Sequence, residues 1–295
     1  MAVASVQRLS WRHWAIWCGG VVLLVALLSP TGRVWLHDAD VRWTHEALKE
    51  VRHHLVHDED WRVVPIASDL DYRWSEPNLR PLWVAHALGG AGTPRANTLA
   101  ALEDSIQAGH RLVEVDLWLD PDGRLRCHHG PEQPPPFTPG DCEFGQVLER
   151  VMAVDGHVIL DIKSDFKTTG ERAMAVIATD ARAAHVVVQM YAPDHVAQFM
   201  VWRQQLALAG PLITAYRSRR AIDRLMDASE ALGVKVLVVP ANRLPALSRQ
   251  RPSVQVMVHP VSDCPTARNI LAQGVNGLFV PGMLKCPEFN DHLRP

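Results

Sequence analysis

The sequence has no surplus of basic residues and no CxxC motif. Its 295 residues carry 30 Lys and Arg against 32 Asp and Glu, which gives a formal net charge of -2. Proteins that bind nucleic acid through its phosphates usually show a basic surplus, so nucleic acid is not the expected partner. Without CxxC, neither a zinc cage nor thioredoxin-like chemistry is expected from the five cysteines. The expected partner is a small molecule.

The longest apolar run lies at the N-terminus. Arg8, Arg12 and His13 precede WAIWCGGVVLLVALLSP, and a basic flank before an apolar run is typical of a targeting or anchoring signal. The run is longer than a signal-peptide core and shorter than a full spanning helix, and no clean A-x-A site follows Leu28. Cys18 lies inside the run, so no lipobox ends it. We favour an uncleaved membrane anchor over a cleaved signal, with the rest of the chain on the extracytoplasmic (periplasmic) side, or secreted if the signal is cleaved.

Export would place the remaining four cysteines where disulfides are allowed. Pairing Cys127 with Cys142 and Cys264 with Cys286 closes the shortest loops. The sequence does not fix the connectivity, and free buried thiols are an equal alternative.

The chain divides into three predicted parts. Residues 1–37 form the signal anchor or signal peptide, and residues 38–80 form a helical spacer and linker. Within that spacer, residues 38–61 predict an amphipathic helix, and a polar, proline-bounded linker follows it. Residues 81–295 are predicted to form the functional domain.

From Leu82 onward, short apolar runs alternate with helical patterns. The runs are LWVAH, LVEVD, HVILDIK, HVVVQM, PLITAY, VKVLVV, VQVMV and GLFV. The helical patterns cover residues 97–108, 169–184, 193–209, 218–233 and 265–273. Eight nearly wholly apolar strands alternating with helices predict a closed parallel (β/α)8 barrel of the TIM type. A doubly wound open sheet is the competing architecture, and the strand count favours the barrel.

The stretch EVDLWLDPDGRLRCHHG gathers several titratable side chains. Glu114 and Asp116, two residues apart on a strand, share one face, and their apolar neighbours mark that strand as at least half buried. The turn formers DPDG predict a hairpin that folds residues 124–129 back beside the strand. This hairpin would bring His129 to the acids and leave His128 facing outward. Buried carboxylates repel each other unless a cation or a proton lies between them, so the segment predicts a metal site.

Functional residues of a parallel barrel lie at the C-terminal ends of its strands. Three consecutive strands end in polar residues here, and the hairpin adds one more. The residues expected at this rim are His86, Glu114, Asp116, His129, Asp161 and Lys163.

These residues resemble the glycerophosphodiester phosphodiesterase family, within the phospholipase-C-like phosphodiesterase barrels. The likeness runs through AHALGG, ANTLAALEDSIQAGHRLVEVDLWLDPDGRLRCHHG and LDIKSD, and more weakly through VVVQMYAPDHVAQF and ARNILAQGVNGLFV, over about residues 82–282. Ala87 stands where the family pattern has a phosphate-contacting arginine, and Gly130 stands where it has an aspartate. The AHALGG form resembles a divergent branch of the family.

The resemblance implies a role for each matching residue. Glu114, Asp116 and Asp161 would be metal ligands, and such hard oxygen donors suit Mg²⁺ or Ca²⁺. Catalytic roles fall on His86, His129 and Lys163, with the two histidines as an acid/base pair. Substrate-binding roles fall on Asn97 and Lys163, the latter as a point charge for phosphate. Asn97 is also a fair cap for the helix that follows it.

The implied function is metal-dependent hydrolysis of a glycerophosphodiester or related phospholipid-derived diester by histidine acid/base catalysis. We expect a neighbouring substrate hydroxyl to attack phosphorus, with a cyclic phosphate opened later by water, and direct attack by water is the simpler variant. A phospholipase-D-like lipid phosphodiesterase of the same barrel type is one alternative. A membrane-anchored binding barrel that has lost turnover is another, and Ala87 and Gly130 motivate it.

Overall fold

The computed structural model describes residues 70–76, 81–130, 142–215, 219–246, 252–282, 284 and 286. The predicted N-terminal anchor and the predicted helix over residues 38–61 lie outside the described residues. Within the described part, no helix is long and apolar enough to cross a membrane. The predicted domain boundaries remain predictions.

The described residues form nine strands in one sheet, with helices between most of them. The strands are β1 (Leu82–Ala85), β2 (Leu112–Leu119), β3 (Leu125–Cys127), β4 (His157–Ile162), β5 (Val186–Met190), β6 (Leu212–Thr214), β7 (Val236–Pro240), β8 (Gln255–His259) and β9 (Gly277–Val280). The helices are α1 (Leu99–Gln107), α2 (Phe144–Met152), α3 (Phe166–Ile177), α4 (Asp180–Ala183), α5 (Pro193–Arg203), α6 (Arg219–Leu232) and α7 (Cys264–Leu271).

Eight of these strands close into a parallel barrel. The hydrogen-bonded order is β1-β9-β8-β7-β6-β5-β4-β2, and β1 pairs in parallel with both β2 and β9. A strand with two such partners closes the sheet, so the predicted TIM-type barrel is confirmed. The open doubly wound alternative is wrong because an open sheet would leave β1 or β2 at an edge.

The barrel strands are apolar because both of their faces are buried. All five residues of β5 are buried, as are all five of β7. One face packs into the barrel interior and the other packs under the helices, which removes the alternation seen in half-exposed strands.

The helical predictions need three corrections. The helix predicted over residues 193–209 ends at Arg203. The predicted helix over residues 169–184 is two helices, since Ala178 ends α3 in the left-handed region (φ 50°) and Thr179 caps α4. The sequence analysis also missed α2, which buries Phe144, Val147 and Val151 at the i, i+3, i+7 spacing of an amphipathic helix.

The predicted hairpin is present, and the four cysteines whose pairing the sequence left open form two disulfides. β3 runs antiparallel to β2, with Leu117 opposite Cys127, and Gly123 takes the positive φ (79°) that the turn requires. Cys127 is bonded to Cys142, and Cys264 is bonded to Cys286, each with Cα atoms 5.5 Å apart. The first disulfide ties the hairpin to the segment that leads into α2.

Residues 70–76 close the N-terminal end of the barrel. The hydroxyl of Tyr72 donates to the carbonyl of Pro211 (2.9 Å), and the indole N–H of Trp74 donates to the carbonyl of Gly210 (2.9 Å). Both acceptors immediately precede β6, so residues 70–76 lie at the end of the barrel opposite to the C-terminal ends of the strands. The C-terminal end is left for the functional site.

Candidate metal centre

Three carboxylates meet inside the C-terminal mouth of the barrel. Asp116 of β2 lies directly opposite Asp161 of β4 in the strand register, and Glu114 precedes Asp116 by two residues on the same strand. Oxygen atoms of all three lie within 4.8 Å of one another. Their side chains are nearly inaccessible, with exposed fractions of 2 to 3%. The cluster that the sequence analysis predicted therefore forms.

The cluster is electrostatically strained without a cation. Burial raises the pKa of the Glu114 carboxyl well above its usual range, and the nearby carboxylates of Asp116 and Asp161 raise it further. Burial also raises the pKa of Asp161, although the Lys163 ammonium opposes this effect. A divalent cation between these groups would favour their charged forms.

Two of the cluster's oxygens have lone pairs that could coordinate a cation. Glu114 Oε1 and Asp161 Oδ1 are buried and accept no hydrogen bond from any residue that the structure describes. A buried acceptor left unsatisfied costs about 1–3 kcal/mol, and coordination to a cation would satisfy both atoms. Three hard oxygen donors with free lone pairs could hold a metal ion.

Asn97 holds Asp116 in place. Its amide nitrogen donates to Asp116 Oδ2 (2.7 Å), and the Asp116 backbone N–H donates to Asn97 Oδ1 (3.1 Å). Asn97 does not cap α1, because the Thr98 hydroxyl accepts the bond from the Ala101 N–H instead. The predicted substrate contact of Asn97 remains a prediction.

Lys163 lies between the cluster and the mouth. Its ammonium nitrogen is 3.2 Å from Asp116 Oδ1 and 2.5 Å from Asp161 Oδ2. The side chain is 17% exposed, so part of its charge faces the open end of the barrel. This position is compatible with its predicted contact to phosphate.

The sequence analysis missed two residues of β5 and its C-terminal end. The Tyr191 hydroxyl donates to Asp161 Oδ2 (2.6 Å), and the Gln189 amide donates to the same oxygen (3.0 Å). The Gln189 amide also contacts the Tyr191 hydroxyl. Their signal in the sequence is the one that identified Asp161 and Lys163, namely two polar residues spaced two apart where an apolar strand ends.

The turn after β1 brings a backbone donor to the cluster. Ala87 and Leu88 take left-handed backbone angles (φ 50° and 57°), and the Ala87 N–H donates to Glu114 Oε2 (2.7 Å). Gly89 must be glycine, since a Cβ there would lie 1.9 Å from the Ser105 hydroxyl. Ala87 stands where the family resemblance leads one to expect arginine. In this chain, the main-chain N–H of Ala87 orients Glu114.

Two histidines face each other beside the cluster. His86 Nε2 is 3.9 Å from Glu114 Oε2 and 3.0 Å from Nε2 of His259, which ends β8. Burial lowers the pKa of His86 to about 4 and that of His259 to about 2, so both imidazoles are neutral at pH 7. His259 was missed, although it is also a polar residue at the C-terminal end of an apolar strand.

Of the two hairpin histidines, His129 is exposed. Burial is the main cause of the low pKa of His86 and of His259, and His129 adds a smaller electrostatic contribution to both, which indicates that it lies near these two rings. His128 is partly exposed, and its ring lies beside that of Trp118, with ring centroids 6.4 Å apart. Its backbone N–H donates to the Asp116 carbonyl (2.9 Å) and so continues the pairing of the hairpin.

The fold and site together define a TIM-type barrel with a buried acidic cluster at its C-terminal mouth. No family model matches the sequence, and no curated protein matches it. Solved structures do match in fold.

Three of these structures are glycerophosphodiester phosphodiesterases or a related phosphodiesterase. The Thermotoga maritima glycerophosphodiester phosphodiesterase matches with a TM-score of 0.51 at 16% identity, over 68% of this chain and 94% of that one. An Oleispira antarctica phosphodiesterase in complex with the product sn-glycerol-3-phosphate matches with a TM-score of 0.53 at 15% identity, over 69% of this chain and 94% of that one. The Parabacteroides distasonis glycerophosphodiester phosphodiesterase matches with a TM-score of 0.54 at 15% identity, over 71% of this chain and 94% of that one. The chain thus shares the barrel fold of these enzymes.

Proposed function

We propose that the protein is a phosphoric diester hydrolase of the glycerophosphodiester phosphodiesterase type that requires a divalent metal. The observation that carries this proposal is the buried cluster of Glu114, Asp116 and Asp161, in which two oxygens lack partners among the described residues. The barrel fold shared with such phosphodiesterases supports it. The complex of the Oleispira antarctica enzyme with sn-glycerol-3-phosphate supports a small phosphodiester as the substrate.

The three carboxylates are the proposed metal ligands, and their hard oxygens suit Mg²⁺ or Ca²⁺. Such an ion would neutralise charge on the non-bridging oxygens of the phosphate. Asn97, Ala87 and Tyr191 donate hydrogen bonds to the proposed ligands Asp116, Glu114 and Asp161, and these bonds orient the three carboxylates.

Lys163 is the proposed cation for phosphate. Its ammonium faces the mouth from between Asp116 and Asp161, so it can contact a phosphate oxygen as a point charge while staying anchored to the cluster. Asn97 retains a second amide hydrogen beside Asp116, which is the group we propose for its contact with the substrate.

His86 and His129 are the proposed acid/base pair. Diester cleavage needs one group to remove a proton from the attacking oxygen and another to protonate the leaving oxygen. His86 is uncharged at pH 7 because burial lowers its pKa to about 4, so it can accept the proton of the nucleophile. His129 is exposed at the mouth, where it can donate a proton to the departing alcohol.

In the preferred route, a substrate hydroxyl next to the phosphate attacks phosphorus and the distal alcohol leaves with a proton from His129. The product of this step is a cyclic phosphate, which water opens to a phosphomonoester while the two histidines exchange roles. Direct attack by water would give the same monoester without the cyclic species.

We further propose that the barrel lies on the extracytoplasmic side of the membrane, attached through the N-terminal apolar run or released after cleavage. The two disulfides of the described residues support an oxidising compartment. Diesters derived from phospholipids would be available at such a surface.

The test is hydrolysis by the purified full chain of glycerophosphocholine against lysophosphatidylcholine, with Mg²⁺ and Ca²⁺ compared and products followed by phosphorus NMR. We expect metal-dependent release of glycerol phosphate that a chelator abolishes. Glu114→Gln should be inactive, and Glu171→Gln, on the exposed surface of α3, should be fully active. Preference for the lysolipid would favour the phospholipase-D-like alternative, and bound metal without any hydrolysis would favour a binding barrel.

A further inference from the structure

The contact between His86 and His259 joins two residues that are 173 positions apart in the sequence. His86 follows β1 and His259 ends β8, with β9 between these strands in the sheet. Their Nε2 atoms are 3.0 Å apart, the ring centroids are 4.3 Å apart, and the ring planes cross at 72°. Phe279 of β9 packs edge-on against both rings, with centroid distances of 6.4 and 5.4 Å. The two imidazoles therefore meet in a T-shaped arrangement, with the apolar ring of Phe279 beside both.

Such a contact admits only one hydrogen between the two nitrogens. If both Nε2 atoms carried hydrogen, the hydrogens would collide, and if neither did, two lone pairs would face each other. A neutral imidazole carries its hydrogen on one nitrogen only, so the tautomer of one ring dictates the tautomer of the other.

His86 has little else to orient it. Its Nδ1 is buried and makes no hydrogen bond to any described residue. The bond to His259 is thus the one hydrogen bond that its side chain makes within the described part of the chain. The same Nε2 atom faces Glu114 Oε2 at 3.9 Å, so this nitrogen lies between the partner histidine and the acidic cluster.

We propose that His259 is a positioning residue for His86. Through the Nε2 contact it holds the His86 imidazole against the acidic cluster and fixes which ring nitrogen carries the proton. This inference rests on the proposed function, in which His86 exchanges a proton with the substrate. It adds to the catalytic apparatus a residue from β8, which is two strands away from β1 in the barrel.

The kinetic test compares two variants of the full chain. His259→Phe keeps a flat ring of similar size but removes the hydrogen bond, whereas His259→Gln retains a polar nitrogen and oxygen near the position of Nε2. We expect His259→Phe to lower kcat roughly 10- to 100-fold, with KM and metal affinity within about twofold of wild type, because a misplaced catalytic group costs rate more than binding. His259→Gln should recover most of the lost kcat.

A matched control comes from the opposite end of the barrel. His157 also lies beside a second histidine, His185, with ring centroids 5.3 Å apart, but at the N-terminal end of β4. His157→Gln should leave kcat unchanged. Wild-type kcat in His259→Phe, or equal losses of kcat and of thermal stability in both His259 variants, would overturn the proposal in favour of a packing role.

A spectroscopic test does not depend on turnover. In the full chain labelled with nitrogen-15 histidine, the wild type should show a scalar coupling across an N–H···N bond between the two rings and a single His86 tautomer. His259→Phe should lose the coupling and give mixed His86 tautomers. Absence of the coupling in wild type would overturn the proposal even if the diester is hydrolysed. Presence of the coupling without hydrolysis would refute the proposed function and still support the control of the His86 tautomer.

Discussion

Asn97 and Asp116 are joined by two hydrogen bonds that run in opposite directions. The Asn97 amide donates to the Asp116 carboxylate, and the Asp116 backbone N–H donates back to the Asn97 carbonyl oxygen. Asn97 reaches this position from the left-handed region (φ 59°), which asparagine tolerates better than most residues. The position of one proposed metal ligand is therefore set by a residue that precedes α1.

Asn97→Gly should weaken metal binding without unfolding the barrel. Glycine keeps the left-handed backbone but removes both hydrogen bonds, and loss of such an outer contact typically costs about 10- to 100-fold in metal affinity. Isothermal titration with Mg²⁺ and Ca²⁺ measures the change. Asp155→Gly is the matched control, since Asp155 also has a positive φ (54°) but is exposed at the other end of β4. Equal affinities in both variants would contradict this role of Asn97.

His129→Ala should abolish turnover while leaving folding and metal binding intact. His129 is exposed, so its removal should change the free energy of unfolding by no more than about 0.5 kcal/mol. The measurement is kcat for a glycerophosphodiester beside a thermal melt and a metal titration of the same sample. Unchanged hydrolysis would remove His129 from the catalytic pair.

Acid should destabilise the protein partly through His157. Burial lowers its pKa from 6.5 to about 4, so the unfolded chain binds this proton more readily than the folded chain. The resulting stability is present above pH 6.5 and is lost as the pH falls toward 4. The free energy of unfolding, measured with denaturant at a series of pH values, should fall less steeply between pH 6.5 and 4 for His157→Gln than for wild type.

His86 and His259 also have lowered pKa values and therefore also lower the stability in acid. Both residues are present in wild type and in His157→Gln, so the difference between the two plots of unfolding free energy against pH reports on His157. If the free energy of unfolding falls with the same slope in both proteins between pH 6.5 and 4, the pKa of His157 is the same in the folded and unfolded chains and the prediction is wrong.

Loss of the hairpin disulfide should destabilise the barrel. The bond between Cys127 and Cys142 spans 15 residues, and closing a loop of that length stabilises a fold by about 3 kcal/mol in the chain-entropy description. The double variant Cys127→Ala, Cys142→Ala should lose stability of about that size in denaturant unfolding. The variant keeps the bond between Cys264 and Cys286, so a reducing agent should lower the stability of wild type by more than that of the variant. Equal stability of the two oxidised proteins would contradict the prediction.

Much of the barrel follows from local patterns. Each of the eight strands is a short apolar run, and burial on both faces makes such runs readable without any knowledge of their partners. The hairpin was predictable because DPDG fixes a turn between two apolar segments. The cluster was predictable because Asp116 and Asp161 lie toward the C-terminal end of the segments over which β2 and β4 pair, and Glu114 shares the face of Asp116.

The residues that the sequence did not reveal depend on distant contacts. His259 lies far from His86 in the sequence, and only closure of the barrel brings their rings together. Gln189 and Tyr191 have the same spacing of two residues as Asp161 and Lys163, at the C-terminal end of the next strand. The break between α3 and α4 depends on the left-handed backbone conformation of Ala178. Alanine is a good helix former, so its presence does not predict the end of a helix.

The central claim is that Glu114, Asp116 and Asp161 hold a divalent cation, and a crystal of the full chain soaked in Ca²⁺ tests it most directly. The account predicts an anomalous difference peak about 2.3–2.6 Å from oxygens of all three side chains, absent in crystals of Glu114→Gln. A saturated crystal with no peak at the cluster, or with the ion bound only to other residues, would contradict the account.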